Sequence, residues 1–199
     1  MILYHGSNVG GIQELEPKVV DHERPYVYMT TIEVVSAFYL CNAVEKPYYW
    51  FPYGFVKDKN IPIYHELYPN ALKEVSKGVH GYIYEIETSE ELVLPFKNIP
   101  HARLGTKPMK VKNCIEVKDA YELFMNYIEQ GKIQIGSFEE KTKEELEWWN
   151  LAIVNYLKEK EMMKKADSSY AMFIKDKLPH IWERYINEVI KTETTYDLT

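Results

Sequence analysis

Apolar and polar positions alternate by twos in three early segments. Ile2-Leu3-Tyr4 ends at His5-Gly6-Ser7, Tyr26-Val27-Tyr28-Met29 runs into Thr30-Thr31, and Gly81 to Glu87 alternates throughout. Each predicts a half-buried strand. Weaker strand signals cover 109–111, 114–117 and 132–135. Between them the period changes to that of a helix. Thr30 with Glu33 has the spacing of a capping box and predicts a helix through Asn42, with Val34, Val35 and Phe38 near one face. Asp119 with Glu122 repeats the signal ahead of Leu123, Phe124, Tyr127 and Ile128, and Gly131 supplies the stop. A shorter helix is predicted over 67–75, ending near Gly78.

From Lys141 onward only helical stripes remain. Leu146, Trp149, Ile153, Tyr156 and Leu157 form one; Tyr170, Phe173, Ile174 and Leu178 form another, closed by Pro179; Trp182, Tyr185, Ile186, Val189 and Ile190 form a third. Strands and helices therefore mix over 1–140 and a helical extension covers 141–199, which predicts an α+β fold. Neither an internal repeat nor a low-complexity tract interrupts this order.

At 199 residues and 46% hydrophobic, the chain suffices for one full core with a smaller appendage. It has no stretch near the roughly 18 apolar residues of a membrane span and no export signal at Met1-Ile-Leu-Tyr-His-Gly, so a cytoplasmic location without membrane partners is expected. Cys41 and Cys114 lack metal-ligand spacing, which argues against a disulfide framework or a bound metal and predicts buried thiols. The net charge of −6 gives no overall attraction to nucleic acid or anionic lipid. Gly-x-Gly-x-x-Gly, the phosphate-loop Gly-Lys-Ser/Thr, His-Glu-x-x-His and Gly-x-Ser-x-Gly are absent. A dinucleotide, if bound, needs another scaffold.

His5-Gly6-Ser7 puts an imidazole at a strand end beside a residue without Cβ, where a ligand can approach the backbone closely. Tyr28 ends a second strand, and Ser36 and Tyr39 share a face of the following helix. Together they offer two phenol rings and a hydroxyl to a flat cationic ring, held by stacking and cation–π attraction. Each residue also has a plainer reading: His5 alone suits a strand-end histidine bonded to backbone, and 17 tyrosines make any single one uninformative.

The strand-borne His5-Gly6-Ser7, with Tyr28 followed after ten residues by Tyr39 and with Ser36-Ala37-Phe38 before it, resembles the diphtheria-toxin-like and poly(ADP-ribose)-polymerase-like ADP-ribosyltransferases. The resemblance covers roughly 1–43 by motif. It implies an ADP-ribosyltransferase-like split antiparallel β-core with flanking helices, and NAD as substrate without a metal. It also implies that His5 bonds a ribose hydroxyl, that Gly6 and Ser36 hold the carboxamide with Ser7 beside them, and that Tyr28 and Tyr39 sandwich the nicotinamide. His5, Tyr28 and Tyr39 would then be the catalytic group of a mono-ADP-ribosyltransferase, a glycosyltransferase acting on a protein or nucleic-acid acceptor. Small bacterial proteins of this kind are often toxins or defence effectors, which implies a neutralising protein partner. The alternatives are a catalytically inactive NAD- or ADP-ribose-binding module and a plain protein-interaction module.

The family's third motif is a glutamate on a later strand, expected here around 107–111. The stretch from Lys97 to Lys112 contains no acid, which leaves Glu116, or Glu85 and Glu87, as the candidates. The same stretch carries Lys97, Arg103, Lys107, Lys110 and Lys112, which reads as a solvated lysine-rich edge strand or as a contact for the cofactor pyrophosphate or a nucleic-acid acceptor. Tyr48 to Phe55 reads as a strand and turn on the core, or as a lid over the cofactor. Trp148, Trp149 and Trp182 are expected to pack helix against domain.

Overall fold

A computed structural model describes residues 1–19, 24–42, 53–57, 59–96 and 99–196. In chain order its elements are β1 (Ile2–Ser7), β2 (Glu14–Leu15), β3 (Val27–Thr30), α1 (Glu33–Asn42), β4 (Tyr53–Phe55), β5 (Pro62–His65), α2 (Ala71–Ser76) and β6 (Gly81–Glu87). There follow β7 (Val93–Phe96), β8 (Ile99–Gly105), β9 (Met109–Lys110), β10 (Asn113–Val117), α3 (Ala120–Glu129) and β11 (Gln134–Gly136). The chain ends in α4 (Lys143–Glu159), α5 (Ser169–Lys177) and α6 (Pro179–Tyr196). This is a mixed α+β architecture.

Six strands form an antiparallel sheet in the order β10-β6-β1-β3-β8-β7. The alternation seen in the sequence sorts its faces. Leu3, Met29 and Ile86 pack on one side with Leu15 and Met109, from the small β2-β9 ribbon. Ile83 and Val117 face the other, where α1 contributes Ala37, Phe38 and Leu40 and α3 contributes Phe124 and Tyr127. A second sheet, β11-β5-β4, adds Tyr64, and Phe38 stacks on Phe124 with ring centroids 5.2 Å apart.

The main sheet is not continuous along its length. β1 pairs with β6 from Ile2↔Glu87 to Ser7↔Tyr82, yet it pairs with β3 only at Tyr4↔Thr30. β3 itself stays paired with β8 from Val27↔Gly105 to Thr30↔Ala102. Beyond Tyr4 the two central strands part, and the sheet opens there.

The helical tail holds a separate apolar cluster that includes Ile153, Val154, Leu157, Ile174 and Tyr185. Leu67 and Tyr68, from the loop after β5, insert into it, and Lys177 of α5 reaches Glu74 of α2 at 2.5 Å. No helix among the described residues is long and apolar enough to cross a membrane.

Several local expectations are corrected. The Thr30–Glu33 capping box is not formed: Thr30 Oγ1 accepts from the Ile32 N–H, while the Glu33 carboxylate takes the Tyr127 hydroxyl at 2.5 Å. The helix expected over 67–75 is cut to α2 because Asn70 adopts a left-handed conformation, φ 58°. Pro179 opens α6 as well as following α5, since a missing N–H costs nothing at a first helical position. Cys41 is buried but Cys114, on the outer strand β10, is exposed. Residues 43–52 and Lys97 lie outside the described residues, and with them most of the Tyr48 to Phe55 stretch.

Candidate functional site

A cavity of about 400 Å³ lies where β1 and β3 part. Tyr4, His5 and Gly6 reach it from β1, Tyr28 and Thr30 from β3, and Ser36 and Tyr39 from α1. Five residues separated by up to a sixth of the chain, His5, Gly6, Tyr28, Ser36 and Tyr39, therefore border one space. Ser7 does not line it; its hydroxyl accepts from the Val9 N–H at 3.1 Å and shapes the turn after the strand.

His5 spans the opening. Its Nδ1 lies 2.7 Å from the Tyr28 carbonyl oxygen. A carbonyl only accepts, so Nδ1 carries the proton and Nε2 keeps its lone pair. Burial pushes the proton affinity below the ordinary value of 6.5, and the Lys18 ammonium lowers it further, against the bond to Tyr28. The ring is thus a neutral acceptor at neutral pH, suited to a hydroxyl. The backbone bond expected of an ordinary strand-end histidine is present, and it orients the free nitrogen.

Gly6 also answers to the packing of α1 on β1. A Cβ there would stand 2.0 Å from the Ser36 carbonyl oxygen and 2.8 Å from the Leu40 nitrogen. The missing side chain admits α1 against β1, and that contact brings Ser36 and Tyr39 to the opening. Ser36 is 1% exposed, and its hydroxyl donates to the Glu33 carbonyl at 2.6 Å, which leaves its oxygen lone pairs as acceptors. Tyr39 is 45% exposed and bonded to the Tyr53 hydroxyl, a contact that, after burial, holds the Tyr53 phenol well above its usual range.

Most of the far wall was not read from the sequence, which offered Arg103 only within a basic run and Tyr53 and Phe55 only within a core strand or lid. β8 supplies His101, Ala102, Arg103 and Leu104, β4 supplies Tyr53 and Phe55, and Phe96 ends β7. The strand expected around 107–111 is only β9, which pairs with β2 outside the main sheet. Pro100 and two basic residues hide β8 from an apolar alternation, and its one signal was the basic run holding Arg103. His101 stacks on Phe55 with centroids 4.4 Å apart, and burial and the Arg103 charge lower its proton affinity below 6.5.

The cavity wall contains neither Asp nor Glu among the described residues. Glu116 sits on β10 beside His80, at 3.2 Å, and Glu85 on β6 accepts from the Asn113 amide at 3.1 Å. Glu87, at the far end of β6, pairs with Lys112 at 2.7 Å. All three lie on the β6 side of β1, away from β3. Glu85 stands directly across the ladder from Tyr4, which lines the cavity. Comparison of the chain with family models, with curated proteins and with solved structures finds no match.

Proposed function

We propose that this cavity binds NAD and that the protein is an ADP-ribosyltransferase-like NAD-binding protein with the corresponding split β-core. The observation that carries the reading is the convergence of His5, Gly6, Tyr28, Ser36 and Tyr39 on one opening in the sheet. The nicotinamide ring lies between the phenols of Tyr28 and Tyr39, where aromatic faces favour a flat cation. Its carboxamide is held by the Gly6 backbone and the Ser36 oxygen, and a ribose hydroxyl donates to His5 Nε2.

In a transfer reaction the nicotinamide–ribose bond breaks, its electron pair leaves with the now neutral nicotinamide, and an acceptor nucleophile bonds the ribose carbon and loses a proton. The positive charge on the ribose in that transition state calls for a nearby anion. The absence of a carboxylate from the described cavity wall favours a second reading, in which the site binds NAD or ADP-ribose without turnover.

Titration calorimetry with NAD tests the first claim. Binding is expected for the wild type, with Tyr39→Ala weakening it by about 1–3 kcal/mol through loss of one stacking face. Unchanged affinity in that variant, or no heat with the wild type, would remove its basis. Following free nicotinamide over a long incubation separates the two readings: release assigns a transferase or glycohydrolase, and binding without release assigns a binding module.

A further inference from the structure

We propose that the helical tail sets the position of the cavity wall, and that His65 is the positioning residue that carries this control from α4 to β4. In taking NAD as the ligand of the cavity, the proposal rests on the reading above; neither His65 nor its partner in α4 belongs to the site described there.

His65 ends β5, and its ring meets both the tail and the strand that borders the cavity. It packs against Trp149 of α4 with ring centroids 5.2 Å apart. The same ring bounds the space over Gly54 of β4, where a Cβ would stand 3.7 Å from His65 Nε2, an ordinary contact distance. Gly54 is the middle residue of β4, and successive side chains of a strand point to opposite faces. The face turned away from His65 carries Tyr53 and Phe55, and both line the cavity. Tyr53 is bonded in turn to the hydroxyl of Tyr39, one of the two rings assigned to the nicotinamide. A contiguous path therefore runs from the tail to the ligand through Trp149, His65, Gly54, Tyr53 and Tyr39.

The path is stiff. β4 pairs with β5 from Tyr53↔Tyr64 to Phe55↔Pro62, and β5 pairs with β11 up to His65↔Gly136, so the ring rides on a paired strand. Gly136 leaves room for it: a Cβ there would stand 3.0 Å from His65 Nδ1 and 3.0 Å from Lys141 Nζ. The Lys141 ammonium donates to the Gly136 carbonyl at 3.0 Å, and that carbonyl also accepts from the Glu66 N–H at 3.0 Å. The chain entering α4 is thereby pinned to the end of β11 beside the ring. Burial first, then Lys141, acting against Glu145 of α4, keep the imidazole neutral at neutral pH, so it works as a spacer and not as a charge. A displacement of α4 is passed on to β4 because packed interiors hold few voids to absorb it.

Fluorine NMR of protein labelled with fluorotryptophan, with the Trp149 resonance assigned through Trp149→Phe, tests this from the tail side. Saturating NAD is expected to shift the Trp149 resonance and to leave in place that of Trp182, which packs on Tyr185 within the tail. By linkage, Trp149→Ala and His65→Ala must each weaken NAD, by about 2- to 30-fold in calorimetry, although neither residue lines the cavity. His65→Ala should also lose the Trp149 shift at saturation, whereas His65→Phe, which keeps a flat ring in the same space, should retain both shift and affinity. Circular dichroism establishes that the variants are folded; should the alanine variants fail that check, the shift in the wild type and in His65→Phe decides. An unmoved Trp149 resonance at saturation, folded alanine variants that bind NAD as the wild type does, or a His65→Phe variant as weak as His65→Ala would overturn the coupling and leave the nicotinamide reading intact. A wild type that binds no NAD removes the nicotinamide reading, and the coupling is then decided without ligand. Phe55→Ala, which trims the cavity wall, must move the Trp149 resonance in the free protein; a resonance that stays in place overturns the coupling as well.

Discussion

At the scale of single residues, Gly6 decides whether the cavity exists. Backbone atoms of α1, the Ser36 oxygen and the Leu40 nitrogen, occupy the space of its absent Cβ, and backbone cannot rotate aside as a long side chain can. Gly81, near the same end of β6, meets the Leu40 side chain of that helix, and the Ser7 carbonyl of β1 also fills the space of its absent Cβ. Gly6→Ala must therefore push α1 off the sheet. The expected cost is about 3 kcal/mol, the upper end for overpacking, read as a lower midpoint in denaturant unfolding. Ligand affinity should fall with it, since Ser36 and Tyr39 move with the helix. Stability unchanged within about 0.5 kcal/mol would mean that the close approach of helix and strand is not a constraint. The sequence made Gly6 legible as a special position but not the helix packed on it, because local order cannot say which distant element fills the space above a strand.

At the scale of elements, the same limit separates two identical sequence signals. Thr30-x-x-Glu33 and Thr142-x-x-Glu145 both carry the capping-box spacing, and only the second forms one. The Glu145 N–H donates to Thr142 Oγ1 at 3.1 Å and the Thr142 N–H donates to the Glu145 carboxylate at 2.8 Å. In the first, Tyr127 of α3 competes for the Glu33 carboxylate, a tertiary contact 94 residues away that no local window contains. Thr142→Ala is expected to lower stability by about 1 kcal/mol, whereas Glu33→Gln, which keeps a partner for Tyr127, should cost less; thermal unfolding of both variants checks the order. Strands with clean alternation, β1, β3 and β6, and the helix α3 with its Asp119 cap were readable for the same reason that Thr142 works: their signals are local. β8 was not, since Pro100 stands inside it and the alternation left to it, His101 to Leu104, is too short to stand out, and with it went part of the cavity wall.

At the scale of the whole molecule, three histidines, two on the cavity wall and one against the tail, share one electrostatic condition. His5 in the sheet opening, His65 against Trp149 at the contact with the tail, and His101 on Phe55 all have proton affinities below the ordinary 6.5, each first through burial. Lys18, Lys141 and Arg103 respectively add to the effect. The sign follows from linkage: as pH falls below 6.5 the unfolded chain takes up protons that the folded chain resists, so stability is present above that value and lost on the way down to the folded-state values. The depressed carboxylates, Glu87, Glu145 and Glu188 among them, start from an ordinary 4.5 and act only at lower pH. The interval between about pH 6.5 and pH 5 therefore isolates the histidines. Thermal midpoints should be level above about pH 7 and decline through that interval, with a shallower decline in His5→Gln. Midpoints that rise as the pH is lowered would contradict the neutral, desolvated state assigned to the His5 ring, and with it the acceptor nitrogen on which ribose binding depends.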